Sequence, residues 1–260
     1  MTPWEKYQQD LQLPTFKHDP AQENAVKALQ RLYDDLTAQK AQSGGLGASL
    51  KKLFGKPAAK EPVKGIYFYG GVGRGKTYLV DTFFDCLPFD KKSRVHFHRF
   101  MHRVHAELKT LDNHSDPLKI VADRLADEAR VICFDEFFVS DITDAMILGT
   151  LMEELFARGI TLVATSNIVP DELYKNGLQR ARFLPAIALI NKYTEVINVD
   201  SGIDYRLRTL EQAEIFHSPL DEDGDKHLHM YFDQLAPENR KSVEDIEINN
   251  RKIPTRKSAE

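Results

Sequence analysis

The stretch GGVGRGKT at residues 70–77 constrains this chain more than any other. Gly70, Gly75, Lys76 and Thr77 satisfy G-x-x-x-x-G-K-[ST], the spacing of a phosphate-binding P-loop. That loop works only between a strand and a helix, and both flanks read that way. Residues 66–69 (IYFY) are apolar and β-forming, and residues 78–86 (YLVDTFFDC) read as a helix. Glycines let the backbone wrap around phosphates with successive N–H groups pointing inward, and the helix N-terminus adds a favourable dipole. The expected phosphate cradle is Gly70, Gly71, Val72, Gly73, Arg74, Gly75, Lys76 and Thr77. Within it, Lys76 is expected to reach the β- and γ-phosphates of a bound nucleotide and the Thr77 hydroxyl to ligate Mg²⁺.

A second motif gives the first a partner. Residues 131–134 (VICF) form a wholly apolar run, as expected of a strand buried on both faces, and end in Asp135-Glu136. Burial would hold the two carboxylates rigidly at the C-terminal edge of a parallel sheet, where ligands bind in open α/β folds. Alone such a pair is a weak signal; downstream of a P-loop it is the Walker B pattern. Asp135 is then expected to hold Mg²⁺ through water and Glu136 to be the base that activates the attacking water. A further buried strand over 160–164 runs into Thr165-Ser166-Asn167, and Asn167 could hydrogen-bond the lytic water or simply cap the turn.

The remaining chain divides by composition. Residues 1–18, polar and Pro-punctuated, read as an arm. Residues 19–64 read as a helix opened by Asp19-Pro20, followed from Ala38 by a Gly/Lys-rich linker containing SLKKLFGK. Gln22 reads as an adenine contact or as an exposed glutamine of the first helical turn. Residues 65–200 form the core. It is expected to be an α/β three-layer sandwich on a parallel five-stranded sheet, with strands also over 94–98 and 194–199. Helices are expected over 101–111, from Asp116-Pro117 and over 141–158, then two helical pieces in 171–190 split by Gly177 and Pro185. Arg180 and Arg182 flank that break, placed to cross a subunit interface as an arginine finger. The His-rich stretch 96–105 shows no clear metal-ligand spacing. Residues 201–260 are an irregular extension with a candidate edge strand at 203–210, a short helix at 228–235 and a hairpin through Asn249-Asn250.

Charge and cysteine content narrow the classes. Residues 1–200 balance at 26 basic against 26 acidic groups, so nothing suggests a protein that coats nucleic acid. Cys86 and Cys133 lie in apolar segments without repeated spacing, as buried thiols of a reducing compartment do. Glu5, Lys6, Asp10 and Lys17 occupy the place where a secretory leader would be apolar, and no stretch is apolar enough to span a bilayer. A cytoplasmic protein without an integral membrane segment is expected, peripheral attachment remaining open.

The order of motifs resembles an AAA+ ATPase core. The wording of YFYGGVGRGKTYLVDTFF, VHFHRFMHRVH, ICFDEFFVSDITDAMIL and TSN followed by LYKNGLQRARFLP resembles the AFG-type ATPase family over residues 60–210. The resemblance implies ATP and Mg²⁺ as ligands, Asp135 and Glu136 as Walker B, Asn167 as sensor 1, and Arg182, or else Arg180, as the finger of a homo-oligomer such as a hexameric ring. It also implies a role in bacterial cell division on a tubulin-like division ring, with recruitment to the inner face of the membrane. AAA+ modules continue into a helical lid carrying a sensor 2 arginine. The last sixty residues do not read as a helical bundle and are expected to be an incomplete lid region. A nucleic-acid motor or helicase loader, and an ATP-gated binding switch, are the alternatives in other classes.

Overall fold

In the computed structural model, residues 1–14, 16–43, 61–111 and 114–200 are described, with short pieces between 226 and 259. Residues 1–202 form one compact unit, and residues 203–260 a second. The first unit runs α1 (Pro3–Asp10), α2 (Pro20–Ser43), β1 (Gly65–Tyr69), α3 (Lys76–Cys86), β2 (Lys92–His96), α4 (Phe97–Lys109), α5 (Pro117–Glu128), β3 (Val131–Asp135), α6 (Ile142–Ala157), β4 (Thr161–Ser166), α7 (Leu184–Tyr193) and β5 (Thr194–Asn198). The five strands make one parallel sheet in the order β2-β3-β4-β1-β5.

Alternation along the strands divides the core in two. On β1, Tyr67 faces one cluster while Ile66 and Phe68 face the other; on β3, Ile132 and Phe134 oppose Val131 and Cys133. The first cluster is closed by α4, α5, α6 and α7, the second by α1, α2 and α3. This is the expected three-layer sandwich, and it explains why the central strands are continuously apolar: both sides of each are interior. Each buried Phe, Leu or Val contributes about 1.5–3 kcal/mol relative to exposure.

Several boundaries depart from the sequence reading. Residues 1–18 contain a helix instead of only an irregular arm. Thr2 caps α1 in a capping box with Glu5, Pro3 stands at its start, and Tyr7 is fully buried against α2 and α3. The Thr-Pro-x-Glu spacing was a readable signal. Helix α2 continues to Ser43, into the stretch read as linker, and Asp19 caps it by accepting from Ala21 N at 2.7 Å. Helix α4 starts at Phe97, not Met101, because Phe97, Phe100, Met101 and Val104 line one buried stripe. Pro185 does not break a helix; it lies in the first turn of α7, where its missing N–H costs nothing. Gln22 is buried, only 5% exposed, so the reading of an exposed glutamine fails.

In the second unit, β7 (Ile246–Ile248) pairs antiparallel with β8 (Arg251–Ile253), the expected hairpin, and β6 (Arg240–Lys241) pairs with β9 (Ser258–Ala259). Residues 229, 230 and 232 are helical. The strand expected at 203–210 and the SLKKLFGK stretch lie outside the described residues.

Candidate active site

The order of the sheet assembles the site. Strand β4 lies between β3 and β1, so its C-terminal end stands between the Asp135-Glu136 turn and the P-loop. The motifs far apart in sequence thus meet along one edge, where open parallel sheets bind ligands.

Gly73 (φ 77°) and Gly75 (φ 78°) take the left-handed conformations that let the loop curl, and Gly75 is the N-cap of α3. Lys76 folds back over the loop. Its Nζ donates to the carbonyls of Gly70 (2.6 Å) and Gly71 (2.8 Å) and to Asn167 Oδ1 (2.9 Å). The Asn167 side chain thus accepts from the P-loop lysine. Thr77 is exposed. Arg74 pairs with Asp200 at 3.0 Å, and Gly71 N donates to the same carboxylate at 3.4 Å, fastening the loop to a residue two positions past the end of β5. Val72 is half exposed.

Asp135 and Glu136 differ sharply. Asp135 has a side chain only 13% exposed and paired with Arg94 of β2, whose Nε donates to Oδ2 at 2.7 Å and Nη2 to Oδ1 at 3.4 Å. The same guanidinium also pairs with Asp81 of α3, linking the P-loop helix to the Walker B strand. Glu136 is exposed, and its backbone is left-handed at φ 55°. In a non-glycine residue that conformation costs about 1–2 kcal/mol. It is stabilised by Glu136 N donating to Thr165 Oγ1 (3.2 Å) and Phe137 N to the Thr165 carbonyl (2.7 Å).

Hydroxyl, carboxylate and triphosphate oxygens are the hard donors that suit Mg²⁺, and Thr77 and Asp135 each carry donors of that kind. Asp135 comes to it already sharing its charge with Arg94.

The structure brings together residues 70–77, Asp135, Glu136 and Asn167, but not the arginines. Arg180 and Arg182 lie in a one-turn 3₁₀ helix between β4 and α7; Arg180 Nη2 donates to the Asp171 carbonyl at 2.6 Å, and Arg182 is exposed. Among the described residues neither bonds to the site. Of the histidines, His105 bonds Asp144 at 2.6 Å, and His96 lies in register with Asp135. Among the described residues no group of three or more His, Cys, Asp or Glu could hold a metal. Arg94, Asp81 and Asp200 carry no local sequence signal, because their roles arise from contacts between strands, helices and loops. Cys133, fully buried, has its thiol pushed up to about 12 by burial, and burial also raises that of Cys86.

Comparison with known proteins agrees with the motif order. The chain is 52% identical over 260 residues to the cell division protein ZapE of Escherichia coli strain K12, covering 98% of this chain and 69% of that one. It is 42% identical over 187 residues to lactation elevated protein 1 homolog B of Danio rerio, covering 67% of this chain and 37% of that one. Among solved structures it resembles DnaI (TM-score 0.49, 14% identity, 73% of this chain and 87% of that one). It also resembles domain III of the Thermotoga maritima replication initiation protein DnaA (TM-score 0.49, 16% identity, 80% and 75%). Likenesses of that extent assign neither ligand nor activity. The family model described as AFG1-like ATPase matches residues 1–260. The chain belongs to the AFG1-like ATPase family and is an ATPase.

Proposed function

We propose that this ATPase hydrolyses ATP with Mg²⁺ at the edge formed by β1, β4 and β3, and uses turnover to remodel a protein partner in bacterial cell division. One observation carries the site reading: Lys76 Nζ lies 2.9 Å from Asn167 Oδ1, joining the P-loop to the strand beside Walker B. A lysine and an asparagine in contact at that edge can address the same γ-phosphate.

In this reading Glu136 accepts a proton from water as its oxygen attacks the γ-phosphorus, and the bond to the bridging oxygen of ADP breaks in line. Asn167 orients the water, and Lys76 offsets charge on the β- and γ-oxygens. The backbone N–H groups of residues 71–77 hold the triphosphate. Thr77 would hold Mg²⁺ directly and Asp135 through water; the ion supplies Lewis-acid neutralisation of the phosphates.

Arg182, exposed on its own chain, is offered as the finger for a neighbouring subunit in a homo-oligomer, a hexameric ring being the expected form; Arg180 is the second choice. The partner is proposed to be the tubulin-like division-ring protein, with a cytoplasmic enzyme recruited to the inner membrane face. The relative's printed name, cell division protein, supports that setting. Among the described residues no helix is long and apolar enough to cross a membrane.

The test is specific ATPase activity as a function of protein concentration, with and without division-ring polymer or single-stranded DNA. A trans finger predicts activity that rises with assembly and falls on Arg182→Ala; flat specific activity removes it. Stimulation by the polymer and not by DNA supports the division reading. Stimulation by DNA alone, steeply reduced by salt, would replace it with a nucleic-acid motor.

A further inference from the structure

The segment Thr165-Ser166-Asn167 is a continuous strap, and only its last residue has a role in the reading above. Glu136 is the residue whose side chain that reading makes the base, and its backbone is left-handed (φ 55°), as are those of Tyr174 and Gln179 farther along the chain. Outliers of this kind persist only where neighbours over-determine them. Here the neighbours are two consecutive, buried hydroxyl residues: Thr165 is 4% exposed and Ser166 2%.

Thr165 holds the turn from both its side chain and its backbone. Its Oγ1 accepts from Glu136 N at 3.2 Å, and its carbonyl accepts from Phe137 N at 2.7 Å. Ser166 completes the grip, with Oγ donating to the Phe137 carbonyl at 2.8 Å and accepting from Ile168 N at 3.3 Å. Beneath the turn, Phe137 is fully buried, its ring 4.3 Å from that of Phe97 between centroids. The strap itself is fixed from below by Tyr67, whose hydroxyl donates to the Ile168 carbonyl at 3.0 Å. The next residue along the strap, Asn167, accepts from Lys76. Three adjacent residues of one strand end therefore fix the Glu136 turn on one side and meet the P-loop lysine on the other.

We infer that Thr165 and Ser166 are positioning residues for ATP hydrolysis: they hold Glu136 in its left-handed backbone, aiming its carboxylate at the edge where Asn167 and Lys76 meet. The inference rests on Glu136 being the base. Neither hydroxyl need touch ATP, so their loss should slow turnover and leave nucleotide binding intact.

Steady-state kinetics on Thr165→Val, Thr165→Ser, Ser166→Ala and Glu136→Gln test it, with a fluorescent ATP analogue for affinity and a thermal melt for folding. Thr165→Val keeps the shape and removes the acceptor. It should lower kcat by at least ~10-fold, with analogue affinity within ~2-fold of wild type, because a misplaced general base costs rate and not binding. Thr165→Ser should recover most of that loss, and Ser166→Ala should lower kcat in the same direction by less. An unchanged kcat in Thr165→Val, while Glu136→Gln is slow, overturns the inference and leaves the base assignment standing. Equal losses in Thr165→Ser and Thr165→Val, or a fall in affinity that matches the fall in kcat, also overturn it, since the hydroxyl would then not be positioning the base. Normal turnover in Glu136→Gln removes the base assignment itself, and the inference with it.

Discussion

The P-loop and the turn after β3 both carry left-handed backbone at one edge of the sheet, and they reach it by opposite means. In the P-loop the conformation falls on Gly73 and Gly75, which have no Cβ to strain. In the other turn it falls on Glu136, a residue that resists it, held by hydrogen bonds that Glu136 N and Phe137 N donate to Thr165 of β4. The first turn takes its left-handed positions from its own glycines, with Asp200 fastening the loop from outside, whereas the second holds its left-handed residue only through neighbours. A loop that must wrap a ligand with backbone N–H groups can be all glycine; a turn that must aim a carboxylate needs a side chain at the strained position.

Substitutions at the two turns can break this contrast, and the largest effect belongs to the P-loop lysine. Lys76→Ala should lower ATP affinity about 100-fold, since hydrogen bonds to charged groups contribute ~1.5–3 kcal/mol each. Equilibrium titration with a fluorescent analogue reads it directly, and unchanged affinity would remove the P-loop assignment. Gly75→Ala should destabilise the folded chain by ~1–2 kcal/mol, because a Cβ is forced to φ 78°. Chemical denaturation would show it. Glu136→Gly should have the opposite sign, stabilising by up to ~1 kcal/mol as strain is relieved, partly offset by the greater backbone freedom of glycine when unfolded. If both variants destabilise equally, the two turns are not built differently.

That contrast also explains how much could be read beforehand. Glycine spacing states a conformation outright, so residues 70–77 were legible as a phosphate loop without any fold. The central strands were legible because burial on both faces makes VICF and its equivalents wholly apolar. What escaped was anything decided by a neighbour. Strand β4 runs through Thr165 and Ser166 because their polar side chains find partners in the Glu136-Phe137 turn, a fact absent from local pattern. Arg94 appears in the sequence as one residue of an alternating strand, yet it joins Asp135 to Asp81 across three elements. Pro185 read as a break and opens a helix, since only the direction of the chain after it distinguishes the two. Helix α1, by contrast, was missed although Thr2, Pro3 and Glu5 spelled its cap.

The most direct test of the account is single-turnover and steady-state ATP hydrolysis by Glu136→Gln, with bound nucleotide identified after rapid separation. A base at this position predicts hydrolysis at least ~100-fold slower, with ATP retained on the protein at near wild-type affinity. Turnover at the wild-type rate, or loss of nucleotide binding together with activity, would contradict the assignment of the Asp135-Glu136 turn.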